Sequence, residues 1–196
     1  MDVRNELGTK ERIIKVTMEL IASEGFQNVT IRKIANQADV NLAAVNYHFG
    51  SKDAVINEAL KTVMAQLINA FSQLKDAGTE PRERLRLFII AYSNVLFKYP
   101  DIIKIIIDQI IHNYPNRVEP GYHKYLKEEG SQLLINTLSQ IYPGEADTVL
   151  KMKTLQLLSC MAFPILMGDT IIEVIDLELE DLDTRQIYID LLLDNV

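Results

Sequence analysis

The chain has 196 residues, of which 48% are apolar and 24% charged, with a formal net charge of −7 at pH 7. Apolar content on that scale is ample for a buried core, and the length suits one large domain or two small ones. A single cysteine, Cys160, excludes an intrachain disulfide and fits a reducing compartment. The opening Met-Asp-Val-Arg-Asn-Glu lacks the basic-then-apolar order of a signal peptide. The longest apolar run, Leu155 to Met167, is too short for a bilayer and holds Pro164, so the expectation is a soluble, cytoplasmic protein with no membrane partner.

Helical periodicity dominates, and no alternating strand pattern stands out. A first helix runs from about Thr9 to Glu24, with Ile13, Ile14, Thr17, Leu20 and Ile21 as its buried stripe and Gly25 as its stop. Thr30 N-caps a second helix over Ile31 to Gln37, Asn41 caps a third, and Ser51 caps a long fourth that reaches about Lys75. Asp76-Ala77-Gly78-Thr79 breaks the pattern, and Pro81 suits the first turn of a fifth helix. Further breaks at Tyr99-Pro100, Asn113 to Gly121 and Tyr142-Pro143-Gly144 delimit helices near 81–98, 101–112, 122–141 and 145–168. A last amphipathic segment spans Thr184 to Asp194 around Ile187, Leu191 and Leu192. About nine helices imply an all-α protein. The fourth has no internal break, so it is expected to bridge a head of residues 1–52 and a body of residues 53–196.

Net acidity argues against nucleic acid until its distribution is examined. Residues 1–62 hold eight Lys/Arg against eight Asp/Glu, whereas the other 134 hold twelve against nineteen. The surplus gathers late, at Glu173, Asp176, Glu178, Glu180, Asp181 and Asp183, where a solvated loop and helix end account for it. A neutral head on an acidic body can grip phosphates locally.

Between Thr30 and Lys52, two short helical patterns flank the turn Asp39-Val40-Asn41. That spacing is what a helix-turn-helix needs to present one helix to a major groove. On helical spacing Val45 and Phe49 point together, toward Ile34 and the first helix. Ala43, Asn46 and Tyr47 fall on an adjoining strip, and the alanines let the backbone approach the groove floor. Asn46 offers an amide to a base edge, adenine being its usual partner. Tyr47 and His48 donate to phosphate oxygens. Lys52 stands at the start of the fourth helix, where free backbone N–H groups already favour an anion, and Arg32 reaches a phosphate or a guanine. Any one of these residues alone is ordinarily just solvated; the joint placement carries the reading.

Ile34-Ala35 with Ala38-Asp39-Val40, then Asn46-Tyr47-His48-Phe49-Gly50-Ser51-Lys52, resembles the N-terminal signature of the TetR family of transcriptional regulators, over about residues 9–60. The resemblance implies a homodimeric repressor that binds a double-stranded operator and whose variable C-terminal domain takes a small effector. It also implies that Arg32, Asn41, Leu42, Ala43 and Asn46 approach bases, while Thr30, Tyr47, His48 and Lys52 hold the backbone.

The body has no comparable motif. Phe88, Tyr92, Ile103, Ile107, Tyr122, Tyr125 and Met152 are candidates to line a ligand cavity, alongside Phe97 and Tyr114; aromatic stripes are also ordinary core. The run from Leu155 to Leu166 is apolar nearly all round and must be covered on every side. With the stripe of Ile187, Leu191 and Leu192 it is the candidate dimer seam, through Leu155, Leu158, Ile187 and Leu191. His112 and His123 lack i, i+4 spacing and Cys160 has no CxxC partner, so no metal, cofactor or catalytic site is expected. The alternatives are a DNA binder that senses nothing, and a helical carrier or enzyme with a relic DNA-binding head. Ligand turnover without sequence-specific DNA binding would mark the latter.

Overall fold

A computed structural model describes residues 8–112 and 121–196, and those residues form helices and no strand. The helices are α1 (Thr9–Glu24), α2 (Ile31–Gln37), α3 (Leu42–Phe49), α4 (Lys52–Ala70), α5 (Pro81–Lys98), α6 (Pro100–His112), α7 (Gly121–Tyr125), α8 (Ser131–Ile141), α9 (Asp147–Met167), α10 (Asp169–Ile175) and α11 (Leu182–Asn195). Among the described residues, 8–64 with 101–112 form one compact unit, and 65–100 with 121–196 form another. α4 begins in the first and ends in the second.

In the first unit, α1 packs on α2 and α2 on α3, around Ile13, Leu20, Ile21, Val29, Ile34 and Val45. The buried stripe of α1 is wider than its spacing suggests: Val16 and Met18 join it, while Ile14 is only half-buried. Thr17 lies in that stripe without penalty, because its hydroxyl donates to Ile13 O at 2.8 Å. Gly25 ends the helix at φ +77, and its N–H donates to Ile21 O. A side chain there would be strained, which is why the stop is legible.

In the second unit, α5, α8 and α9 pack on one another and α11 on α5. Phe71, Phe88, Ile89, Leu96, Leu134, Leu138 and Leu157 are buried there. The buried Arg84 has no carboxylate partner among the ion pairs of the described residues. It donates from Nη1 to Leu74 O at 3.0 Å and from Nη2 to Gln140 Oε1.

Several element ends differ from their expected places. α4 stops at Ala70 and continues as a tighter 3₁₀ turn, Phe71–Lys75. The expected helix near 122–141 is present, with a π segment, Leu126–Gly130, between its two α-helical parts. α11 starts earlier than expected because Asp181 caps it, accepting from Thr184 N at 2.8 Å. α10 was not anticipated: seven residues give too little periodicity to read beside an acidic run. The break at 113–120, with Tyr114, lies outside the described residues.

Within the single chain, α9 is covered on one side only. One arc, Leu150, Thr154, Leu157, Met161 and Ile165, is buried. The opposite arc, Met152, Leu155, Phe163 and Leu166, is exposed. At 21 residues the helix is long and apolar enough to cross a membrane by length and composition. Its expected shortness held only for the run from Leu155 onward.

Candidate functional site

The helix-turn-helix is assembled by local hydrogen bonds. Thr30 Oγ1 accepts from Lys33 N at 3.2 Å, Asn41 Oδ1 from Ala44 N at 2.7 Å, and Ser51 Oγ from Ala54 N at 3.2 Å. Each cap fills one of the orphan donors at a helix start. Between α2 and α3 the chain turns through Asp39 at φ +52, a left-handed position that aspartate tolerates better than most residues. Ile34 and Ala35 from α2, Ala38 just beyond it and Val45 from α3 are buried, and Val45 is the one fully buried side chain of α3.

The rest of α3 is available. Leu42, Ala43, Asn46 and Tyr47 occupy one contiguous exposed arc, and His48 is exposed at its edge. Tyr47 is 87% exposed. α3 carries no acidic residue. Thr30, Arg32 and Asn41 are also exposed, and Lys52 is half-buried. Phe49, expected to pack beside Val45, is half-buried.

Two supporting contacts escaped the sequence reading. The Lys10 ammonium lies 5.9 Å from the Phe49 ring centre and 3.9 Å from Glu58. The Lys52 ammonium lies 5.6 Å from the ring of Phe26. Both are cation–π contacts between distant positions in the chain, and no spacing rule signals them. Lys33, by contrast, is engaged by Glu24.

In the second unit, Phe88, Tyr92, Tyr122 and Tyr125 meet around a residue the sequence reading passed over, Phe71. Ring centres of Phe71 lie 4.7 Å from Phe88, 5.9 Å from Tyr92 and 5.4 Å from Tyr125. The Tyr92 and Tyr122 hydroxyls hydrogen-bond each other. Burial pushes the Tyr92 hydroxyl up to about 12 and Tyr122 well above its ordinary value, so both stay neutral. Of the other cavity candidates, Ile103 and Ile107 lie on α6, in the first unit, and Met152 is exposed on α9.

Leu155, Ile187 and Leu191 are exposed, the first two by about two-thirds (66% and 64%), and Leu158 is half-buried. Tyr188 fixes α11 to α9 by donating to Cys160 O at 2.7 Å. An open cleft of about 420 Å³ between the start of α5 and the end of α11 is crossed by Arg82, which pairs with Asp194 at 3.1 Å.

Residues 13–59 match the family described as bacterial regulatory proteins, tetR family. The chain is 31% identical over 81 residues to the HTH-type transcriptional regulator BetI of Stenotrophomonas maltophilia, covering 41% of each. It is 23% identical over 95 residues to the HTH-type transcriptional repressor KstR2 of Mycolicibacterium smegmatis, covering 48% of this chain and 46% of that one. The chain thus spans less than half the length of these curated relatives. Likeness in fold extends further. A TetR transcriptional regulator from Legionella pneumophila superposes with a TM-score of 0.71 at 16% identity, over 98% of this chain and 99% of that one. The regulator PfmR from Thermus thermophilus gives 0.65 at 18% identity, over 93% and 97%. Residues 13–59 thus carry a helix-turn-helix of the tetR type, and the all-helical fold of the chain is that of solved TetR regulators along nearly its whole length.

Proposed function

We propose that the protein is a dimeric, DNA-binding transcriptional repressor that reads a palindromic operator and is released by a small lipophilic effector. The observation that carries the reading is the exposed, acid-free arc of α3, Leu42, Ala43, Asn46 and Tyr47, flanked by Arg32, His48 and Lys52. A helix so short covers only a few base pairs, so affinity needs two half-sites about 34 Å apart, or a multiple of that. In this reading residues 1–52 are the DNA-binding domain and residues 53–196 bind effector and partner.

Base edges fall to Arg32, Asn41, Leu42, Ala43 and Asn46, and phosphates to Thr30, Tyr47, His48 and Lys52. The second copy covers the exposed apolar arc of α9 and α11, through Leu155, Leu158, Ile187 and Leu191. The effector enters the body near Phe88, Tyr92, Tyr122 and Tyr125. It can release DNA only by favouring a spacing of the two heads that misfits the grooves. α4, continuous from Lys52 to Ala70, is the lever. A coupling of about 1–3 kcal/mol shifts operator affinity roughly 5- to 150-fold.

The test is selection of genomic fragments by the purified protein, followed by affinity measurement on the enriched sequence. A palindromic site bound far more tightly than scrambled DNA is expected. Binding no tighter than to scrambled DNA would overturn the reading.

A further inference from the structure

The Tyr125 hydroxyl oxygen is shielded from solvent and has no hydrogen-bond partner, although the residue as a whole is half-buried. A polar group in that position is destabilising, and each such case needs a reason. The neighbouring hydroxyls of Tyr92 and Tyr122 are already paired with each other. Tyr125 closes α7 and is followed at once by the π segment Leu126–Gly130; such segments occur often at functional sites. The π turn brings Gly130 so close that a Cβ there would lie 3.1 Å from both the Phe71 and the Tyr125 ring edges. Phe71 opens the 3₁₀ turn that ends α4. That turn is tied twice more, by Arg84 to Leu74 O at 3.0 Å and by Lys75 to Glu129 at 2.6 Å.

We propose that the Tyr125 hydroxyl receives the neutral polar head of an apolar effector, a hydroxyl or carbonyl group on a hydrocarbon body. This rests on the sensing function proposed above and names its ligand class. The surroundings favour a neutral head. They offer rings and hydroxyls, and the nearest charges, Lys75 and Glu129, satisfy each other at the surface. Burial raises the Tyr125 hydroxyl as well, so it stays protonated and able to donate. A charged head would have to break the Lys75–Glu129 pair to gain a counter-ion.

The rings of Phe71 and Tyr125 are in contact, so a ligand head must part them. Displacing Phe71 removes one of the three ties on the 3₁₀ turn and so favours its rewinding. Five residues passing from 3₁₀ to α-helix shorten by about 2.5 Å, which pulls on α4 along its axis.

The whole chain is titrated calorimetrically with 1-octanol, octanoate and octyltrimethylammonium, as wild type and as Tyr125→Phe. Octanol is expected to bind the wild type more tightly than either charged analogue. Tyr125→Phe should weaken octanol about tenfold, the loss of one hydrogen bond. Its unliganded melting temperature should not fall, since the hydroxyl had no partner to lose. Equal octanol affinity in the two proteins, preference for a charged head, a lowered melting temperature, or binding of none of the three would each overturn the site. Octanol bound through Tyr125 with operator affinity unchanged would support the site and sink the sensing function instead.

Discussion

In α3 the residues proposed for function point outward, and the helix is seated by buried Val45 and a cap at Asn41. In the second unit Phe88, Tyr92 and Tyr122 point inward and are themselves part of the core. Function and stability are therefore separable in the head and joined in the body. A head substitution can change what is read without unfolding the protein, whereas a change in the aromatic cluster alters both. The exposed arc of α9 and α11 is a third case, apolar yet outward, where the missing stabilisation is assigned to a second copy.

That third surface offers the largest effect. Leu155→Arg combined with Ile187→Arg should leave a folded monomer by sedimentation and weaken operator binding at least about a hundredfold, the scale of lost bivalency. A variant that sediments as a dimer would remove these residues from the seam. Next comes a paired truncation. Phe88→Ala should cost about 3–5 kcal/mol in urea unfolding, and Tyr47→Ala, at an exposed position, no more than about 0.5 kcal/mol. Similar losses would erase the distinction between the two regions.

Ionisation of the buried tyrosines probes the body. Because the folded Tyr92 hydroxyl is pushed up to about 12 from an ordinary 10, its contribution is complete below pH 10 and lost as pH rises toward 12. Unfolding free energy should fall by about 2 kcal/mol across that window, measured by urea titration at pH 9 and pH 11.5. A flat profile would place the hydroxyl in water.

Within the head the roles divide further. Asn46→Ala should relax base preference at one position per half-site, at about 1–3 kcal/mol. Lys52→Ala should weaken all sequences alike and lower the salt slope by about one unit per contact. The opposite pattern would exchange their roles. The smallest effect belongs to Asn41→Ala, which removes the cap on Ala44 N and should cost about 1 kcal/mol of stability in thermal unfolding; no change would mean that water replaces the cap.

The head was legible because its signals are short-range. Thr30, Asn41 and Ser51 each cap a backbone N–H three residues on, and Gly25 stops α1 with a bond to Ile21 O. The bounds of α2 and α5 were readable for the same reason, with Pro81 at the first turn of α5. The body was less legible. Apolar periodicity predicted helices in it but not which face of α9 is covered within one chain, nor the short α10.

The sequence alone thus determined the class of fold, most helix ends and the outward strip of α3, since each depends on residues within about four positions of one another. Only the tertiary structure decided that Phe71 sits at the centre of the tyrosines, that Lys10 braces Phe49 and Lys52 lies over Phe26, and that the Tyr125 hydroxyl is left without a partner. These depend on groups tens of residues apart, and whether a polar atom is satisfied is set by what surrounds it in space, not by its neighbours in the chain.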